Sequence, residues 1–460
     1  ILFFIGEIYI LIRNQLVESV DMEREVWNSK IGFLLAATGS AMGLGNVWRF
    51  PYITGANGGA AFVLIYFIIV FSIGVPVMLA EFAVGRSSKL NAVGAFKKLK
   101  GGKWPVVGWI GIIAGFIILS YYSVIAGWTI KYFISSFTGL ISPNVNTTTY
   151  FNQFTSNGLQ NIFFQAIFIL ITIYVVYLGV EKGIETWSKI LMPILILILL
   201  LLVIRGVSLP GAPDGIRFYL NPNFSEVTGR IILAALGQAF FSLSLGMGAM
   251  ITYGSYIPKE ISLPKSAFIV TFLDTVLALL AGFVIFPTAF TFGIEPGAGT
   301  GLIFITLPSI FALMPFGQIW SALFFLLLFI AALTSAIGLL EVSVAYVKDE
   351  RNWSRKKAAL ALGTTAFIIG VPSALSNGTI SLNLFGMQFL DAMDYLSSNI
   401  LLPLGGIFVT LFVGWVIKDT ALKEINLEGK FKFEKSWIWI CRTIAPISIF
   451  LIFLAGIGLL

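Results

Sequence analysis

The chain has no histidine and a single cysteine, Cys441, in 460 residues, and only 11% of its residues are charged. Without histidine the commonest general base and metal ligand is missing, and a lone cysteine cannot close an intrachain disulfide. Most hydrolase and metalloenzyme mechanisms are excluded on these grounds, and no nucleophile arrangement points to an enzyme. Long polar stretches, from which a water-soluble domain could be built, are also missing. What fills the chain is apolar: 58% hydrophobic residues and a mean hydropathy of +0.94, the composition of a membrane protein.

Apolar runs of roughly 20 residues, the length that crosses a bilayer, recur about eleven times. They fall at 31–55, 60–84, 105–138, 159–179, 187–206, 229–256, 267–290, 317–347, 357–374, 387–416 and 437–460. The expected fold is an all-α polytopic membrane protein embedded in a lipid bilayer. The opening stretch ILFFIGEIYILI, residues 1–12, is too short to span and lacks the basic start and cleavage site of a signal peptide. It reads as an interfacial lead-in. Lys and Arg are distributed unevenly: Arg86, Lys89, Lys97, Lys98, Lys100 and Lys103 crowd one connection, Lys348, Arg351, Arg355, Lys356 and Lys357 another, and Lys418, Lys423, Lys430, Lys432 and Lys435 a third. The connections 139–158, 291–316 and 375–386 hold none. By the positive-inside rule the basic loops and the N-terminus are cytoplasmic, in the plasma membrane. The net charge of +7 is then spread over one membrane face and calls for no nucleic-acid partner.

A polar group at membrane depth is costly unless partnered, so each is a functional candidate. The apolar runs hold Ser40, Asn46 and Arg49; Tyr121 and Tyr122; Gln238, Ser242 and Ser244; Asp274; Thr334, Ser335 and Glu341; and Asp391 and Asp394. The first run contains GSAMGLGNVWRFPY, residues 39–52. Gly39, Gly43 and Gly45 each lower helix propensity by about 1 kcal/mol relative to alanine, and Pro51 has no backbone donor. Glycines can instead serve close helix packing, but packing needs neither Asn46 nor Arg49. A broken helix exposes carbonyls to cations and, near Asn46, a new N-terminus to anions. The sixth run repeats the theme in GQAFFSLSLGMGAM, residues 237–250. Two interrupted helices five spans apart point to an inverted repeat with its site at the membrane midplane. The expected division is a cytoplasmic segment 1–30, five-helix repeats over 31–206 and 229–416, and an eleventh helix at 437–460.

The stretches GSAMGLGNVWRFPYITGANGGAAF and FFSLSLGMGAMITYGSY resemble the first and sixth helices of the neurotransmitter:sodium symporters, most closely the prokaryotic amino-acid transporters. The likeness runs from about Arg24 to the end, through LSYYSVIAGWT, FVIFP, LTSAIGLLE and FLDAMDY. The resemblance implies two sodium ions and no organic cofactor. Asn46, the Ala41 carbonyl, Ser242, Asp274 and the substrate's carboxylate would hold the first ion. The carbonyls of Gly39, Met42 and Ala331 and the hydroxyls of Thr334 and Ser335 would hold the second. Sodium is a hard cation and these positions supply only oxygen, although taken alone such hydroxyls bond back to the preceding helical turn. Asp274 stands where many relatives have asparagine, and Ala278 where chloride-dependent relatives have serine. Transport independent of chloride is the expectation, with Asp274 offsetting the ion's charge.

Gly43 stands where the monoamine transporters of that family have an amine-binding aspartate, so the substrate is expected to bring its own carboxylate. An amino acid fits, bound by Ser40, Ala41, Gly43, Gly45, Ile118, Tyr122, Phe241, Ser242, Ser244, Met247, Ser335 and Leu339. The apolar, Met-containing lining favours a hydrophobic or aromatic side chain. The resemblance further implies an outer gate of Arg49 ion-paired with Asp394 above a lid of Phe241 and Tyr122. It implies an inner gate of Arg24, Ser255, Tyr256 and Asp349, and a fifth helix that unwinds between Gly183 and Pro193. Glu341 has no partner that the sequence names. The function so implied is sodium-coupled symport of amino acids by alternating access. A non-transporting amino-acid sensor or a substrate-gated channel on the same scaffold is the alternative.

Overall fold

The computed structural model describes residues 25–293, 301–376, 378 and 382–460; the lead-in 1–12 lies outside them. Among the described residues nine helices are long and apolar enough to cross a membrane. They are span 2, Ala60–Ser88; span 3, Pro105–Ser135; span 4, Gly158–Tyr177; span 5, Val180–Val207; span 7, Leu263–Thr291; span 8, Gly317–Arg351; span 9, Arg355–Leu375; span 10, Phe389–Val416; and span 11, Glu434–Gly456. Span 1 is a pair, Lys30–Ala41 and Gly45–Ala56, bent by 53° at the break. Span 6 is likewise two pieces, Gly229–Ser242 and Ala249–Gly254. Over the described residues the fold is an eleven-span helical bundle with a five-plus-five inverted repeat whose first and sixth helices are broken.

Local chemistry sets many of the helix ends. Ser29, Asn157, Thr228 and Ser354 sit at N-caps and accept a bond from a first-turn amide, which satisfies a donor with no partner inside the helix. Five π-helical turns, Gly45–Arg49, Val70–Gly74, Leu302–Thr306, Leu396–Leu401 and Ile440–Ile444, each end just before an X-Pro pair, at Pro51, Pro76, Pro308, Pro403 and Pro446. Proline has no N–H to give and its ring crowds the carbonyl one turn back. A widened turn relieves that crowding while the helix continues.

Spans 2, 5, 7 and 8 run four or more residues beyond their expected bounds, spans 2 and 7 to Ser88 and from Leu263. Span 5, expected over 187–206, begins at Val180, because the polar run Val180–Glu185 forms a π-helical turn continuous with it. Span 8 runs beyond 347 to Arg351. Spans 3 and 8 are the most buried of the long spans and pack on each other. The first half of span 1 rests on spans 5, 7 and 8, and the second half of span 6 on spans 2 and 8. Both breaks therefore lie inside protein.

Candidate functional site

Span 1 leaves helical geometry after Ala41: Met42 still donates to Thr38 O at 2.7 Å, Gly43 N turns back to Ala41 O at 2.9 Å, and Asn46 N donates to Gly43 O at 3.2 Å. In span 6 the break is left-handed at Ser244, Gly246 and Gly248, with φ of 53°, 81° and 75°. A side chain at Gly246 would strike the Leu402 carbonyl, so glycine is required there by conformation and by space. Backbone groups freed at membrane depth need partners from the protein. Glu81, on span 2, accepts from Gly246 N at 2.7 Å. Gln238 Nε2 donates to Gly45 O at 3.0 Å, and Ser244 Oγ donates to Ser40 O at 3.0 Å. These bonds tie one break to the other. Glu81, fully buried, was not singled out from the sequence; a carboxylate inside an apolar run was the available signal.

Two oxygen clusters flank the breaks. In the first, Asn46 Nδ2 donates to Asp274 Oδ1 at 2.8 Å, Ser242 Oγ donates to Asp274 Oδ2 at 2.8 Å, and Ser242 Oγ lies 3.2 Å from Asn46 Oδ1. Tyr66, on span 2, donates to Ser242 Oγ at 3.2 Å and was not foreseen. Asp274 is fully buried, and among the described residues it has no basic partner. A buried carboxylate beside an amide and a hydroxyl oxygen is a donor set for one hard cation. In the second cluster Thr334 Oγ1 bonds back to Ile330 O and Ala331 O, both at 3.1 Å. Ser335 behaves differently: it donates across to Gly39 O at 3.3 Å and Ser40 O at 3.1 Å on span 1. Its hydroxyl and these carbonyls converge from two helices, while Met42 is buried where the first half of span 1 ends.

Eleven of the twelve residues expected around the substrate line a single cavity, together with Leu44; Ser242 belongs to the Asp274 cluster instead. The cavity is contracted, about 30 Å³, room for a water molecule and not for an amino acid. Its floor is the span 1 break. An alanine Cβ at Gly43 would lie 2.6 Å from Ser335 Oγ and 2.9 Å from Tyr122 Oη, and one at Gly45 would lie 2.8 Å from Phe241 Cε1. Tyr122 Oη accepts from Leu44 N at 3.2 Å. Ile118, Met247 and Leu339 supply the apolar wall.

Above this cavity lies a larger one of about 550 Å³, and Phe241 and Tyr122 line both. Arg49 and Asp394 line the larger cavity and form no ion pair in this conformation, as in the open state of a gate that opens and closes with hydration. The Arg49 guanidinium lies 4.4 Å from the centre of the Phe241 ring. Asp394 accepts from Tyr121 Oη at 2.8 Å and Ser398 Oγ at 3.0 Å. Water in an open cavity solvates both charges, and a hydrated pair gains little by contact.

The opposite end is closed. Arg24 lies outside the described residues. Trp27 is buried and donates from Nε1 to Tyr253 O at 3.1 Å. Tyr256 donates to Glu341 Oε1 at 2.6 Å, and Glu341, fully buried, pairs with Arg355 at 2.7 Å. The partner that the sequence left unnamed is therefore Arg355, on span 9. Glu25 extends the chain of charges, pairing with Arg355 at 2.7 Å and Lys348 at 2.9 Å and accepting from Val180 N at 3.1 Å. Burial alone would push the Glu25 carboxyl up; Arg355 and Lys348 outweigh it and hold the group below the usual carboxylate range. Asp349 accepts from Asn91 N at 2.8 Å and Nδ2 at 3.1 Å, and Ser255 Oγ donates to Thr252 O at 2.6 Å.

The expected unwinding of span 5 is absent: the helix is continuous from Val180 through Pro193 to Val207. Gly183 is there for space, since a side chain would strike the Val175 carbonyl. Glu185 accepts from Asn28 N and Ser29 Oγ, both at 2.8 Å, and supplies the acidic group that the first turn of span 1 lacks.

The model of the sodium:neurotransmitter symporter family matches residues 24–160 and 154–459. An uncharacterized sodium-dependent transporter of Bacillus subtilis, YhdH, is 41% identical over 94% of this chain and 98% of its own length. The human sodium- and chloride-dependent GABA transporter 2 is 29% identical over 87% of this chain and 74% of its own. Among solved structures, MhsT in complex with L-phenylalanine is similar with a TM-score of 0.87 and 46% identity, over 94% of this chain and all of the other.

Proposed function

This chain belongs to the sodium:neurotransmitter symporter family, and from that premise we propose that it couples entry of a hydrophobic or aromatic amino acid to inward movement of sodium. The observation that carries the reading is Gly43: it has no side chain, a Cβ there would crowd Ser335 and Tyr122, and no carboxylate lines the cavity, so the cavity offers no anion to an amine. The substrate must supply the carboxylate itself, beside the cluster of Asn46, Ser242 and Asp274. The first sodium is assigned to Asn46, Ser242, Asp274, the Ala41 carbonyl and that carboxylate. The second is assigned to Thr334, Ser335 and the carbonyls of Gly39, Met42 and Ala331. The substrate side chain lies among Ile118, Tyr122, Phe241, Ser244, Met247 and Leu339 once the pocket enlarges, and the L-phenylalanine bound by MhsT supports an aromatic amino acid as the substrate class.

The basic loops face the cytoplasm of a plasma-membrane protein, so the large cavity opens outward. The residues 25–29 then sit at the cytoplasmic end. From this conformation substrate enters past Arg49 and Asp394, and Phe241 moves aside to enlarge the contracted pocket. Each sodium carries a charge down a membrane potential worth about 2.3 kcal/mol per charge per 100 mV, which drives accumulation. Asp274 supplies the negative charge beside the first ion, so chloride is not required. Uptake of labelled L-phenylalanine into proteoliposomes tests this. Accumulation needs external sodium and survives replacement of chloride by gluconate. Binding without accumulation overturns the symport, and loss of uptake without chloride overturns the role of Asp274.

A further inference from the structure

On the basic face, away from the site above, the first turn of span 7 and the chain leading to span 11 enclose a groove of about 520 Å³. Lys265, Lys430 and Lys432 line it against one carboxylate, Glu428. None of the three lysines has an ion-pair partner among the described residues. The first turn of span 7 contains no acidic residue, so its amides add to the positive potential. The groove is preformed by a buried arginine. Arg86 donates from Nη1 to Ile261 O at 2.6 Å, next to Ser262 of one wall, and pairs with Glu424 at 2.9 Å, next to Ile425 of the other.

Apart from Ser262 and Gly429 the rest of the groove is apolar, and its apolar side continues along span 7. Phe268 lines it and is 51% exposed, and Phe272, one turn deeper on span 7, is 46% exposed. Their rings stack with centroids 6.2 Å apart. We propose that this groove binds one anionic phospholipid, its phosphate among Lys265, Lys430 and Lys432 and an acyl chain along Phe268 and Phe272. The apolar track decides between sources of phosphate, because a soluble phosphate ester has no acyl chain to lay on it. The proposal rests on the cytoplasmic placement of the basic loops and not on transport, so a chain that fails the uptake test can still pass this one. A bound lipid would fasten the connection 425–433 to the start of span 7.

Native mass spectrometry of the full chain, released from detergent with added dioleoylphosphatidylglycerol, reads the site directly. A juxtamembrane lysine contributes about a fivefold factor to binding of anionic lipid. The triple variant Lys265→Gln, Lys430→Gln, Lys432→Gln therefore retains the first lipid about a hundredfold more weakly, while the corresponding Lys→Arg triple retains it as the parent does. Replacement of Lys97, Lys100 and Lys103 by Gln, on the same face but outside the groove, leaves retention unchanged. Phe268→Ser with Phe272→Ser weakens it. Equal retention by the Gln triple, or equal loss in the control triple, overturns the site. Displacement of the lipid by glycerol 3-phosphate at equal concentration overturns the lipid and makes the groove a soluble-anion site.

Discussion

At the end of the bundle proposed to face outward Arg49 and Asp394 stand in one cavity without pairing, whereas at the opposite, inner end Glu25, Lys348, Arg355 and Glu341 form a continuous run of ion pairs. The groups are chemically alike, and their surroundings make the difference. The outer pair borders a cavity of about 550 Å³, where water competes for each charge and contact is worth about 0–1 kcal/mol. Glu341 has no exposure, and removing its partner leaves an uncompensated charge worth about 3–5 kcal/mol. One end is free to change with hydration, and the other is locked until its pairs are released together. In the transport cycle proposed above the two ends exchange these roles.

The largest effect is expected where the inner lock is broken on one side. Arg355→Gln strands Glu341 and lowers the thermal midpoint of the purified chain by many degrees, and Glu341→Gln added to it recovers much of the loss. If the single variant melts with the parent, the inner end is not held by this pair. Next comes the pocket between the two ends. Gly43→Ala forces Ser335 and Tyr122 apart, and overpacking of about 1–3 kcal/mol weakens substrate binding up to about a hundredfold in a scintillation proximity assay. Unchanged affinity would show that the span 1 break yields more than its contacts imply.

At the outer end Asp394→Asn leaves the melting temperature within a degree or so, as expected of a half-buried carboxylate with no ion-pair partner beside a water-accessible cavity, yet slows uptake because closure loses its attraction. A large stability loss would mean that Asp394 acts through its bonds to Tyr121 and Ser398. The smallest effect concerns pH. The Glu25 carboxyl is held below the usual range, so its pairing stabilises the inner end above the unfolded value of about 4.3 and is lost as pH falls through the lower folded value. Amide exchange over residues 25–41, corrected for intrinsic rate, should stay flat between pH 8 and 5 and rise only below about pH 4. A rise near neutral pH would exclude Glu25 as its cause.

Several of these features were legible in the residues. Glycines beside Asn46 and Arg49, and again around Ser242 and Ser244, interrupt apolar runs, and such interruptions are local signals. The structure brings both stretches together, with Asp274 and Ser335 against them. Glu341 could be noticed but not paired, because Arg355 sits on the next span, beyond a turn. The polar run 180–185 fell outside the apolar run 187–206 because its composition is polar; packing against span 4 keeps it helical. The π-helical turns had a signal in the X-Pro pairs.

The sequence by itself determined the eleven spans, the two breaks and the all-oxygen chemistry around them, since span length, backbone propensity and donor type belong to each residue and its near neighbours. Only the tertiary structure decided which end stands open. The states of Arg49–Asp394 and Glu341–Arg355 depend on whether water or protein surrounds the charges, and that surrounding is made by helices distant in the chain.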